Sequence, residues 1–184
     1  MARPRNPGLD DIVALGNRIL GDIVALDSYE YAPCYLWYDR PLYDDFGEAI
    51  RHLQGDTIYL YQQSETPLRD LFHELGHVVG RKCQLVGNAE NGYRGSWDRD
   101  NGKLIAEVRE QRHWSGYLNL FALSREDFHA HAASELWAEL FMLWHLQPAS
   151  DEAGLLEQPM QDLREDPVYS VIACLARELG LREA

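Results

Sequence analysis

A chain of 184 residues, 46% hydrophobic and 26% charged, has enough apolar content to close one sizeable core, and it shows neither a linker that would split it nor a repeat of solenoid period, so a single domain over residues 1–184 is expected. A formal charge of −13 opposes an electrostatic grip on nucleic acid or an anionic membrane. Three widely spaced cysteines, Cys34, Cys83 and Cys174, argue against a disulfide framework and fit a reducing compartment.

The first eight residues, MARPRNPG, carry two arginines but no apolar run follows them. Asp10, Asp11, Asn17, Arg18 and Asp22 interrupt residues 9–26, so neither a cleaved signal peptide nor a membrane span is expected there. The expected location is the cytoplasm, or outside the cell by a route without a cleaved signal. The same stretch holds DIVAL twice, eleven residues apart, close to three helical turns, and reads as one amphipathic packing helix. YLWY at 35–38 suggests a short strand, and residues 44–53 a helix ending near Gly55. In TIYLYQ, residues 57–62, Ile58, Leu60 and Gln62 alternate with Thr57, Tyr59 and Tyr61, which predicts a strand. It stands just before the next helix, either as a sheet edge that an extended peptide can join or as an internal strand.

Leu68, Leu71, Phe72, Leu75, Val78 and Val79 recur at helical spacing. Thr66 before Pro67 reads as an N-cap, and Gly80 with Arg81 and Lys82 as the stop. Inside this helix lies His73-Glu74-Leu75-Gly76-His77, the pattern H-E-x-x-H. Residues four apart share a helical face, so both imidazoles can meet one zinc ion. Glu74, beside the first ligand, can take a proton from a water held at the metal.

Residues 84–116 are rich in Gly, Asn and Asp. Asn91-Gly92 marks a turn, and Asn101-Gly102 predicts a hairpin between 97–99 and 103–108, either a lid bearing Tyr93, Trp97 and Trp114 or a plain surface hairpin. Ser124 to Asp127 resembles a capping box opening a helix to about Leu146, stopped by Pro148. Asp166-Pro167 opens a last helix, closed by Gly180.

The long helix offers the third ligand. Glu135 and Glu139 lie one turn apart beside Leu136, Trp137, Leu140 and Phe141. Two carboxylates on such a face are costly to bury without a cation or hydrogen-bond donors. Glu135 would bind the metal, and Glu139 would accept the N–H of His73 or His77 and fix its tautomer. The alternatives are a solvated position for both glutamates, or a ligand drawn from Cys83, Asp127, His129 or His131.

HELGH followed by ELWAE resembles the gluzincin zinc peptidases, most of all small bacterial ones similar to the catalytic domain of anthrax lethal factor. The resemblance covers roughly residues 57–145 and rests on those two motifs. It implies His73, His77 and Glu135 as zinc ligands, Glu74 as general base and Glu139 as the outer partner of a ligand histidine. It also implies an α+β, zincin-like fold with a small sheet before the first zinc helix and a mainly helical C-terminal half. Lethal-factor-like sequences usually carry an oxyanion-stabilising tyrosine where this chain has Phe128; His129 and His131 are nearby and Tyr117 lies further back, and His131, one turn before Glu135, is the expected substitute. The function expected is hydrolysis of a peptide or protein substrate, with room for a role as a toxin or effector and for a regulatory partner. Two other readings fit the same motif: a zinc-stabilised binding module without turnover, and an intracellular peptidase of the repressor-cleaving type. The latter often carries a helix-turn-helix, which is not evident here.

Overall fold

The computed structural model describes residues 8–21, 23–29, 57–86, 95–103, 125–146 and 156–181. The expected strand at 35–38, the helix at 44–53, the Asn91-Gly92 turn, Tyr93, Trp114, Tyr117 and the cap at Ser124 lie outside them.

Helix α1, Leu9–Leu20, buries Ile12, Gly16 and Leu20, a stripe at four-residue spacing. The expected helix over 9–26 is thus corrected, because its second DIVAL leads into strand β1, Ala25–Tyr29. The cause is Asn17. Its side-chain oxygen accepts from the Leu26 N–H at 2.6 Å and its amide donates to the Leu26 carbonyl at 2.7 Å, so an amide side chain satisfies the incoming strand. The Leu26 side chain occupies the space that a Cβ on Gly16 would need. Strand β2, Thr57–Tyr61, pairs with β1 in parallel, Leu26 opposite Ile58 and Ser28 opposite Leu60. Ile58 and Leu60 are buried and their neighbours half-buried, the expected alternation.

Helix α2, Pro67–Lys82, carries the H-E-x-x-H pattern. Thr66 precedes its first turn but makes no side-chain cap; Asp70 instead receives the Ser64 hydroxyl and, at 3.5 Å, that of Thr66. Gly80 does not end the helix. It lies inside, where a Cβ would stand 2.8 Å from Val86 and 2.9 Å from Trp137, so it is a packing residue. The helix runs on to Lys82, and Gln84, four residues after Gly80, takes a positive φ of 56°.

The segment read as half of a hairpin is helix α3, Ser96–Asp100. Asp98 accepts from the Gly95 N–H at 3.1 Å, and Asn101 donates to the Trp97 carbonyl at 3.0 Å. Trp97 is neither a lid nor a surface residue: it is 3% exposed and meets Trp137 edge-on with ring centroids 5.6 Å apart. Helix α4, Arg125–Leu146, and α6, Pro167–Glu178, match expectation, the latter capped by Asp166 accepting from the Val168 N–H and followed by Gly180 at φ 69°. A short α5, Glu157–Asp162, lies between them. The described residues are thus mixed helix and strand, with helix dominant.

The main packing is α2 against α4, with α2 also touching β2 and α6, and α1 touching β1 and α6. Phe72, Leu75, Val79, Trp137, Leu140 and Phe141 are fully buried in the shared core. Two contacts set how closely α2 and α4 approach. The Trp137 indole donates to the Gly76 carbonyl at 2.8 Å, and a Cβ on Gly76 would stand 2.8 Å from the Ala138 Cα. No helix among the described residues is long and apolar enough to cross a membrane.

Candidate metal centre

The close approach of α2 and α4 brings together a row of polar side chains inside an apolar interface. Their partners run in opposite order along the two helices, which pack antiparallel: Arg69 meets Glu139, His73 meets Glu139 and Glu135, and His77 meets Glu135 and Ser134. Glu135 is 6% exposed, Glu139 2% and His73 2%, so both glutamates are buried rather than on a solvated edge.

Three ligand atoms converge. The two Nε2 atoms of His73 and His77 are 3.2 Å apart. The Glu135 carboxylate reaches His73 Nε2 at 3.3 Å with Oε2 and His77 Nε2 at 3.4 Å with Oε1. Direct charge-assisted N–H···O bonds would be shorter, about 2.7–2.9 Å. Two Nε2 atoms facing one another also cannot both act as donors. The two carboxylate contacts run to different oxygens, so Glu135 spans the pair of imidazoles; His73, His77 and Glu135 form a triangle with one ligand atom from each within 4.8 Å of the others, close enough to hold a metal ion.

The outward nitrogens of the histidines are also partnered. His73 Nδ1 faces Glu139 Oε1 at 3.1 Å, and His77 Nδ1 faces Ser134 Oγ at 2.9 Å. The other Glu139 oxygen accepts from Arg69 at 3.2 Å. Glu139 thus stands between His73 and Arg69. Ser134 and Arg69 were not singled out in the sequence, although one adjoins Glu135 and the other precedes His73 by one turn.

The electrostatics explain how such a row survives burial. For His73, burial opposes the charged form, but hydrogen bonding to Glu135 and Glu139 outweighs it and pushes the pKa up to about 10. For His77 burial again opposes, and the Glu135 carboxylate again raises it. Burial would raise Glu135, yet His77 and His73 hold it well below the usual carboxylate range. Without a metal, then, the cluster keeps protons to balance its carboxylates. A divalent cation at the same place would balance Glu135 and Glu139 in their stead. Burial pushes the Glu74 carboxyl up against the pull of His77 and His73, so it lies within electrostatic reach of the triangle, while part of the residue stays exposed.

Among the alternative ligands, Cys83 does not join the group. It sits half-buried at the far end of α2, where burial and neighbouring Asp166 push its thiol up to about 12. Asp127, Phe128, His129 and His131 fall in the first turns of α4, and their side chains lie outside the described residues. No family model matches the chain, and neither a curated protein nor a solved structure matches it.

Proposed function

We propose that this chain is a zinc-dependent metallopeptidase of the gluzincin type, with a zincin-like fold and a peptide or protein substrate. The observation that carries the reading is the triangle of His73, His77 and Glu135 with Glu74, a partly exposed residue whose carboxyl feels the pull of His77 and His73, beside it. A structural zinc is closed by four protein ligands, whereas three leave a position for water or substrate. Two imidazoles and one carboxylate make a donor set that suits zinc.

When bound, zinc supplies the Lewis acidity that activates a water and polarises the scissile carbonyl. Glu74 would take the proton from that water and deliver it to the leaving amine. His131, one turn before Glu135 in α4, is assigned to the developing oxyanion in place of the tyrosine absent at Phe128. Strand β2, immediately before α2, suits an extended peptide laid along the sheet. Neither nucleic acid nor a membrane is proposed as a partner.

The test is cleavage of a peptide library by zinc-loaded protein beside Glu74→Gln. Wild type should cleave, and the variant should keep its zinc while losing about 10²–10⁴-fold in turnover. Unchanged turnover in the variant would remove Glu74 from the base role. No cleavage by the loaded wild type would leave a zinc-stabilised binding module.

A further inference from the structure

We propose that Ser134 and Arg69 are positioning residues of this centre, Ser134 acting through His77 and Arg69 through Glu139 and His73. The inference rests on the metal-binding reading above.

A neutral imidazole has one N–H and one lone pair, and only the lone pair binds a metal. Both histidines turn Nε2 inward, 3.2 Å apart, so both must carry hydrogen on Nδ1 to present lone pairs to one ion. An acceptor placed at Nδ1 enforces that tautomer. For His77 the acceptor is Ser134 Oγ at 2.9 Å. The neighbouring Glu135 supplies a ligand from the same helical turn, so ligand and acceptor move together. Were the hydroxyl to donate instead, the His77 proton would sit on Nε2, pointing at His73 and at the place of the metal.

For His73 the group at Nδ1 is the Glu139 carboxylate, in ion-pair contact through Oε1 at 3.1 Å and with a second oxygen to satisfy inside an apolar interface. Arg69 satisfies it, donating to Oε2 at 3.2 Å. The Arg69 side chain is 45% exposed while that of Glu139 is 3% exposed, so Arg69 reaches in from the rim. Its place one turn before His73 keeps it on the ligand face of α2. Without Arg69, Glu139 would have only His73 to hold it and would be free to turn away. The two arms bracket the metal triangle from its ends, one on each histidine.

The arms predict separable effects. The experiment uses the full chain, labelled with ¹⁵N at histidine and loaded with zinc alone. Wild type, Ser134→Ala, Ser134→Thr and Arg69→Gln are compared by zinc affinity in competition with a chelator and by the ring-nitrogen signals of each histidine. Ser134→Ala should weaken zinc by about 10–100-fold and shift the His77 ring while leaving His73 in place. Ser134→Thr, which keeps the hydroxyl, should restore both. Arg69→Gln, at a half-exposed position that does not hold the core, should weaken zinc and shift the His73 ring alone. Wild-type affinity with an unchanged His77 signal in Ser134→Ala overturns the first arm; the same at His73 in Arg69→Gln overturns the second. A folded wild type that takes up no zinc would instead overturn the metal reading on which both depend.

Discussion

Gly76 and Ala138 touch backbone to backbone: a Cβ on Gly76 would come within 2.8 Å of the Ala138 Cα and 3.1 Å of the Phe141 Cβ. The glycine between the two histidines is therefore what lets α4 approach near enough to deliver Glu135. The neighbouring Trp137 indole, donating to the Gly76 carbonyl, fixes the register of that approach.

Gly76→Ala should accordingly damage both fold and site. A buried methyl with no room costs about 1–3 kcal/mol of stability through overpacking. Pushing the helices apart also stretches the Glu135 edges of the triangle. Thermal denaturation should show a lower Tm, and zinc titration a weaker affinity than in wild type. An alanine variant with unchanged zinc affinity would show that the glycine is not what brings α4 close.

The site should respond to pH in opposite senses with and without zinc. In the metal-free chain, hydrogen bonds to Glu135 and Glu139, acting against burial, raise His73 from the usual 6.5 to about 10, so its contribution to stability is whole below 6.5 and is lost as pH climbs to about 10. Glu135 is depressed below its usual 4.5, so its contribution is whole above that value and is lost on acidification. The metal-free cluster thus contributes most between 4.5 and 6.5 and less toward alkaline pH. Zinc requires unprotonated histidines, so its uptake releases protons and strengthens as pH rises. The increase in Tm on adding zinc should grow between about pH 6 and about pH 9. An increase that stayed constant over that range would mean that zinc does not displace protons from His73 and His77.

Cys83 should be inert toward the metal. Its thiol is pushed up to about 12 by burial and by Asp166, so little thiolate is present near neutral pH. Cys83→Ser should retain full metal content, and the wild-type thiol should alkylate slowly in the folded protein. Loss of zinc from the serine variant would return Cys83 to the ligand set.

The parts of this site legible in the sequence are those set by helical spacing. His73 and His77, and Glu135 and Glu139, are each four apart, and four residues on a helix put two side chains on one face whatever surrounds them. The cost of burying two carboxylates beside Trp137 and Phe141 calls for a cation or hydrogen-bond donors. What spacing does not encode is pairing between distant segments. Ser134 meets His77 across 57 positions and Arg69 meets Glu139 across 70, and neither residue type announces such a role. The same limit explains where the fold departs from local sequence signals. The second DIVAL shares the helical period of the first, but the Asn17 amide receives Leu26 as a strand. Asn101-Gly102 is a good hairpin signal locally, but burial of Trp97 against Trp137 holds Ser96–Asp100 helical. Of the expected stop at Gly80, Arg81 and Lys82, the helix does end at Lys82, but Gly80 itself lies inside α2 with Val86 and Trp137 packed on it.

The most direct measurement is metal content of the purified wild type beside Glu135→Ala, each checked for folding by circular dichroism. About one zinc per chain in the wild type and little in a folded Glu135→Ala is the expected result. A folded wild type with no zinc, or a variant that keeps it in full, would contradict the centre built from His73, His77 and Glu135.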